Sequence, residues 1–303
     1  MAKDQIALEL AERRKAAAGF AVGLSYWQIA WRRFRRHKLA LVGGSVAVFL
    51  SVVAILAPWV APFDFERVNL DARWITPRWP HVFGTDELGR DVLTRIMYAG
   101  RISLVVGYVT AIGITIVGTL VGVAAGYYGG WVDSVLMRLV DILIAIPTLP
   151  LYLILAALIP GGGVNRIVLI FTVFGWTTVA RLVRGQILSL KNQDYVDAAR
   201  AMGASNARIM LRHLMPNSLA PVIVAATLTV GGAILGESAL SYLGLGIQPP
   251  TPSWGNMLQR AQEYIWNAPW LAVWPGLFIF VTVLSFNFLG DGLRDALDPR
   301  LKV

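Results

Sequence analysis

The chain has 303 residues, 56% of them hydrophobic and 15% charged, with no cysteine and a formal net charge of +9. That is too few charges for an ordinary water-facing surface, where about 25% is usual, and too much apolar side chain for a disordered polymer. Disulfide and thiolate chemistry are excluded, and the positive charge flanks apolar runs as a membrane orientation signal does, with no aromatic-interleaved basic stripe for nucleic acid.

Residues 1–38 read as a basic tail. Ser25 can cap a helix that carries Trp27, Ala30, Trp31 and Phe34 on one face among Arg32, Arg33, Arg35 and Arg36. Such a helix lies in the headgroup layer; a plain basic stop before the first span is the equal alternative. A span needs about 20 apolar residues to cross roughly 30 Å of hydrocarbon. Residues 39–63 supply the first, which is too long and begins too far in for a cleavable signal peptide. An outer loop, 64–101, follows, its arginines matched by acids. The second span is Ile102–Val132, with Gly118, Gly122 and Gly126 at four-residue spacing, a face that lets a neighbouring helix approach closely.

The third span is Ile142–Asn165, bent by Pro147 and Pro150, with Arg138 and Asp141 near its start close enough to pair locally. Ile167–Ala180 begins the fourth, completed by Val183, Ile187 and Leu188 while Arg181 and Arg184 snorkel to the interface. The fifth, His213–Gly236, has a smooth wall that includes Gly231 and Gly232. That wall is either a tight helix contact or the lining of a passage. Glu237, just beyond, either marks the boundary or faces the substrate path. Tyr264–Gly290 is the sixth, and 291–303 a tail. The fold class is therefore all-α, a polytopic membrane protein with six transmembrane helices and a core at 102–290. Most Lys and Arg fall in the tails and in 181–217, which places both termini in the cytoplasm.

The cytoplasmic loop 185–217 contains DYVDAARAMGASNARIMLRHLMPN, from Asp194 to Asn217. Asp194 can cap a helix over 195–202, with Asp197 as its third residue, and Gly203 supplies a left-handed stop. Ser205 can cap a second helix, through Ala207, Ile209, Met210, Leu211 and Leu214, that Pro216 closes. Tyr195, Ala198, Ala199 and Met202 stand at one-turn spacing. Their small, mildly apolar face suits insertion into a protein groove; a hairpin resting on lipid is the competing reading.

This stretch resembles the cytoplasmic signature of ABC importer permeases, Glu-Ala-Ala, three residues, Gly, nine residues, then Ile-x-Leu-Pro. Asp197-Ala198-Ala199, followed by Arg200, and Gly203 and Pro216 match its frame, with Asp for Glu, His213 for Ile and Met215 for Leu. FGTDELGRDVLTRIMYAGRISL (83–104), SALSYLGLGIQPPTPSWGNML (238–258) and NFLGDGLRDALDPRLKV (287–303) look like the C-type permease subunit of bacterial dipeptide, oligopeptide and nickel importers. The resemblance runs from about residue 32 to the C-terminus. It implies the type I ABC importer permease fold in a bacterial inner membrane, with peptides as cargo and nickel, glutathione or oligosaccharide as alternatives. It also implies that Tyr195, Asp197, Ala198, Ala199, Arg200, Met202, Gly203 and Pro216 couple the chain to an ATPase. The implied partners are a homologous second permease subunit, two ATPase subunits that bind ATP and Mg, an extracytoplasmic solute-binding protein and membrane lipid.

No G-x-x-x-x-G-K-[ST] phosphate loop occurs in the chain, so ATP is expected on those separate subunits and no cofactor here. His37, His81 and His213 are scattered, so no metal site is expected, and no nucleic-acid partner. The loops 64–101 and 237–267 are free for the binding protein, the second stiffened by Pro249, Pro250 and Pro252 beside Trp254. A stand-alone secondary carrier would need acids at mid-membrane and an inverted repeat. A membrane enzyme would need a clustered catalytic set such as a Gly-x-Ser-x-Gly elbow. The chain shows none of these.

Overall fold

The computed structural model describes residues 26–298, and among them the regular elements are helical, joined by loops with two isolated bridges. Eleven helices run in chain order: α1 Tyr26–Phe34, α2 Lys38–Val60, α3 Val92–Tyr128, α4 Gly130–Ala145, α5 Thr148–Leu158, α6 Val164–Gly175, α7 Thr177–Leu190, α8 Asp194–Ala201, α9 Asn206–Tyr242, α10 Trp254–Ala261 and α11 Trp270–Leu297. Four of these, α2, α3, α9 and α11, are each long and apolar enough to cross a membrane, and the pairs α4/α5 and α6/α7 pass only when each is taken together. The ends of α4/α5 show that the pair crosses. Asp133 at its start bonds Arg184 of α7, while Ala156 and Ile159 at its close share the Arg166 guanidinium with Leu245 and Gly246 beyond the other end of α9. Six spans result. Both described ends meet on one side, where Arg33 donates to the Asp298 carbonyl at 2.8 Å.

The breaks have local causes. Pro147 forces Ile146 into extended backbone (φ −85°, ψ 126°), and the chain turns 88° between α4 and α5. Pro150 only occupies the first turn of α5, where a missing N–H is harmless. The fourth span bends 40° at Trp176, whose indole N–H donates to the Val173 carbonyl at 2.8 Å and so competes with the helical ladder. In α9 Pro216 does not end a helix as expected. The residues before it, Ile209–Leu214, widen into a π-helical turn closed by Met215 N–H to the Met210 carbonyl, and the helix continues to Tyr242. The wider turn relieves the clash of a proline ring with the carbonyl four residues back.

Other boundaries move for electrostatic reasons. Helix α3 begins ten residues before Ile102, because Asp91 accepts the Thr94 amide at 2.8 Å and caps it. The loop between α2 and α3 therefore spans 61–91, since α2 ends three residues before the expected Phe63. At its end an ion-pair network forms: Arg90 bonds Asp86 at 2.7 Å, Arg95 of α3 lies 3.7 Å from the same carboxylate, and Arg260 of α10 donates to Glu87 at 3.0 Å. Asp141 does not pair with Arg138 on its own helix but with Arg181 of the adjacent α7, a contact set by the packing of the two helices and not by spacing along one of them. Ser25 lies outside the described residues, as do 299–303 of the C-terminal motif. In α1, Trp27 and Trp31 are exposed and Ala30 is buried, so the face expected to act as one is divided between solvent or lipid and the end of α11.

The largest buried cluster joins α2, α3, α9, α10 and α11 around Trp254, which is 1% exposed and donates its indole N–H to the Ile96 carbonyl at 3.2 Å. Trp254 is thus core, not part of the aromatic outer surface expected of 237–267. Long rows of Val, Leu, Ile and Phe remain exposed along the spans, Val48, Phe49 and Ile55 of α2 among them. The chain is an all-α polytopic membrane protein, and these rows are the surface that hydrocarbon covers.

Candidate functional site

On the side where the described ends meet, α7 leads through a tight hairpin, α8 and the start of α9, into the fifth span. Asp194 is the first residue of α8 and not its cap; Gln193 holds the cap position in extended backbone without a side-chain bond. Asp194 and Asp197 therefore sit in the first turn, near the positive end of the helix. Asp197 takes Arg200 as an exposed i,i+3 partner at 2.8 Å. Gly203 turns the corner at φ +80°, with open space where a Cβ would stand. Ser205 caps the next helix by accepting the Arg208 amide at 3.4 Å.

The hairpin has two unlike faces. Val196, Ala199, Ile209 and Leu214 are buried, and Val196, Ile209 and Leu214 join Val183 and Ile187 of α7 in one apolar cluster. Ala199 therefore belongs to the root, not to the outward face on which sequence spacing put it. Tyr195, 39% exposed, Ala198 and Met202, 81% exposed, form a ridge on the outer side, and Pro216 lies in the spine of α9 behind it. The root is also pinned by polar bonds from the end of α3: Tyr127 donates to Asn206 at 2.8 Å, and Lys191 donates to the Gly126 carbonyl at 2.9 Å. Arg184 makes two bonds to Asp133, tying α7 to α4. Sequence reading missed these four contacts; opposite charges on successive spans were an available signal for the two between Arg184 and Asp133, and the neutral amide and backbone carbonyl met by Tyr127 and Lys191 left none. The ridge is thus mounted on α7 and α9, and through their bonds on α3 and α4.

Gly118, Gly122 and Gly126 of α3 face Val179, Val183 and Ile187 of α7. A Cβ on them would lie 2.6 Å from Val179 Cβ, 2.6 Å from the Ala180 carbonyl oxygen and 2.8 Å from Ile187 Cβ, respectively. Four-residue ridges on both helices interlock. The glycines of α9 divide: Gly231 lies against Val283 and Phe286 of α11, whereas Gly232 looks onto open space. The smooth wall is part contact and part free surface.

Glu237 lies within α9, not at its end, and is fully buried. It accepts Ser241 at 2.7 Å and Ser103 of α3 at 3.0 Å. Ser103 in turn accepts the Trp254 amide at 3.3 Å, and Ser241 accepts Ile247 N–H at 2.9 Å. The carboxyl is the knot that ties α10 and its loop to the spans, and it does not front open space. Glu237→Ala orphans both hydroxyls and leaves a cavity, an expected cost of about 2–4 kcal/mol. A lowered thermal midpoint of the purified chain in detergent, with Glu237→Gln much closer to the parent, is the check. No group of three or more metal-ligating side chains occurs among the described residues.

A family model described as "Binding-protein-dependent transport system inner membrane component" matches residues 118–303. The chain belongs to this family. A second model, the N-terminal TM domain of oligopeptide transport permease C, matches residues 25–77. Among curated relatives of this permease family, the dipeptide transport system permease protein DppC of Bacillus subtilis (strain 168) is 44% identical over 292 residues, covering 96% of this chain and 91% of the relative. The glutathione transport system permease protein GsiD of Escherichia coli O157:H7 is 44% identical over 277 residues, with 91% of each covered. The oligopeptide transport system permease protein OppC of Bacillus subtilis (strain 168) is 42% identical over 279 residues, covering 92% and 91%. The match thus includes the hairpin, the glycine stripe and the Glu237 knot of this permease.

Proposed function

We propose that the chain forms one of two homologous transmembrane halves of an ATP-driven importer, moving small peptides that an extracytoplasmic binding protein delivers. Its termini and hairpin face the cytoplasm, and two separate ATPase subunits supply the energy, one gripping α8. The relatives named for dipeptide, oligopeptide and glutathione transport all handle peptide-bonded cargo, which favours peptides over nickel or sugars. One observation carries the coupling role. The Tyr195–Ala198–Met202 ridge is exposed on a short helix whose opposite face is wedged into α7 and the start of α9. An apolar ridge on a rigid mount suits a groove in another protein and transmits its displacement as rigid-body motion.

The chain has no cysteine, so Met202→Cys introduces its sole thiol. In the assembled transporter, a short bifunctional reagent is expected to cross-link this thiol to an ATPase subunit, and ATP is expected to change the yield. A thiol that labels freely from water in the complete assembly and never cross-links would overturn the assignment.

A further inference from the structure

A groove of about 690 Å³ runs between α2, α3, α9 and α11, apart from the hairpin. Phe34, the last residue of α1, lines one end, and Ser51 and Tyr108, whose hydroxyls bond each other at 2.8 Å, line it farther along α2. Between them the walls are mostly apolar, with Gly44, Val48, Ala226 and Leu289 contributing. A peptide would find few partners there for its backbone N–H and C=O groups, so the groove does not suit cargo. From Lys38 to Ser51, α2 rises about 20 Å, close to the roughly 15 Å of one leaflet's hydrocarbon. Cations follow in the chain at the Phe34 end. Arg35 and Arg36 follow Phe34 directly, Lys38 opens α2, and all three side chains are exposed, with the Arg35 guanidinium over the Trp31 ring at 5.3 Å. An apolar slot one leaflet deep, with a positive rim at headgroup level, complements an acyl chain joined to a negative phosphate.

We propose that the groove is a binding site for an anionic phospholipid, its acyl chain between α2 and α9 and its phosphate on Arg35, Arg36 and Lys38. The site is independent of the transport reading and would hold whichever cargo the permease carries. The bound lipid would fill the space between the first span and the bundle, and its charge would fix α1 at the membrane surface.

The test uses the full chain in its assembled transporter, equilibrated with vesicles of equal phosphatidylglycerol and phosphatidylcholine. Lipid retained after gel filtration is then counted by mass spectrometry. The parent is expected to enrich phosphatidylglycerol, and Arg35→Gln/Arg36→Gln/Lys38→Gln to lose roughly fivefold of that preference per charge removed. A photoreactive residue at Ala226 in the otherwise unchanged chain is expected to give lipid adducts. Equal retention of the two lipids by the parent, or adducts at Ala226 to another polypeptide in place of lipid, would overturn the site.

Discussion

A Gly203→Val chain is expected to insert and assemble yet take up peptide at a small fraction of the parent rate. Gly203 sits at φ +80° with nothing within 4 Å of its missing Cβ, so the penalty is backbone strain, not crowding. The left-handed region costs an L-residue about 1–2 kcal/mol, and a β-branched one the upper part of that range. The corner relieves the strain by opening. The short α8 is then displaced from the cluster that seats Val196 against Val183 and Ile187, and the Tyr195–Met202 ridge moves with it. Spans and glycine stripe are untouched, so insertion and abundance are preserved. ATP-driven uptake into proteoliposomes, measured beside the Met202→Cys cross-link, reads the effect, and Gly203→Asn should retain more activity because Asn tolerates this conformation. Normal uptake by the valine variant would remove the hairpin from the coupling path.

Gly122→Leu is expected to fail earlier, at folding. The first atom of any side chain there would lie 2.6 Å from the Ala180 carbonyl oxygen and 2.7 Å from Val183 Cβ. Backbone cannot rotate away as a side chain can, so α3 and α7 must separate. Overpacking of this kind costs about 3 kcal/mol or more, and separation also loosens Gly118 and Gly126 from Val179 and Ile187. The expected readout is a chain that aggregates on extraction from the membrane. Gly185→Ala, on α7 with open space beside it, is the matched control and should be neutral or slightly stabilising. A monodisperse, stable Gly122→Leu chain would mean that the stripe does not hold the bundle.

Much of this was readable from spacing alone. Six apolar runs, the Gly203 corner and the Ser205 cap depend on local composition, and local composition is what a sequence displays. The missed features depend on partners far apart in the chain. Asp91 lengthens α3 by capping it, and the carboxylate of Asp86 makes Arg90 and Arg95 compatible with burial where the mostly exposed loop meets α3. Trp254 was read as surface because prolines precede it, but the Ile96 carbonyl, in another helix, draws its indole inward. Ala199 was read as part of the ridge because four-residue spacing cannot tell which of two adjacent alanines meets the protein. The breaks at Pro147 and Trp176 differ in the same way: a proline announces a bend, whereas the indole-to-carbonyl bond is visible only in three dimensions.

The π-helical turn ahead of Pro216 also sets a phase. An α-helix advances about 100° per residue, so the wider turn between the hairpin and the fifth span determines which way everything downstream points. With the turn in place, Glu237 meets Ser103 and Gly231 meets α11 while Met202 faces outward. Shortened by one residue, the same sequence would keep its hairpin and its span but aim them at different neighbours, as a key cut correctly and inserted rotated. In the proposed coupling, transmission between the two sides of the bundle would thus rest on angular register as well as on stiffness.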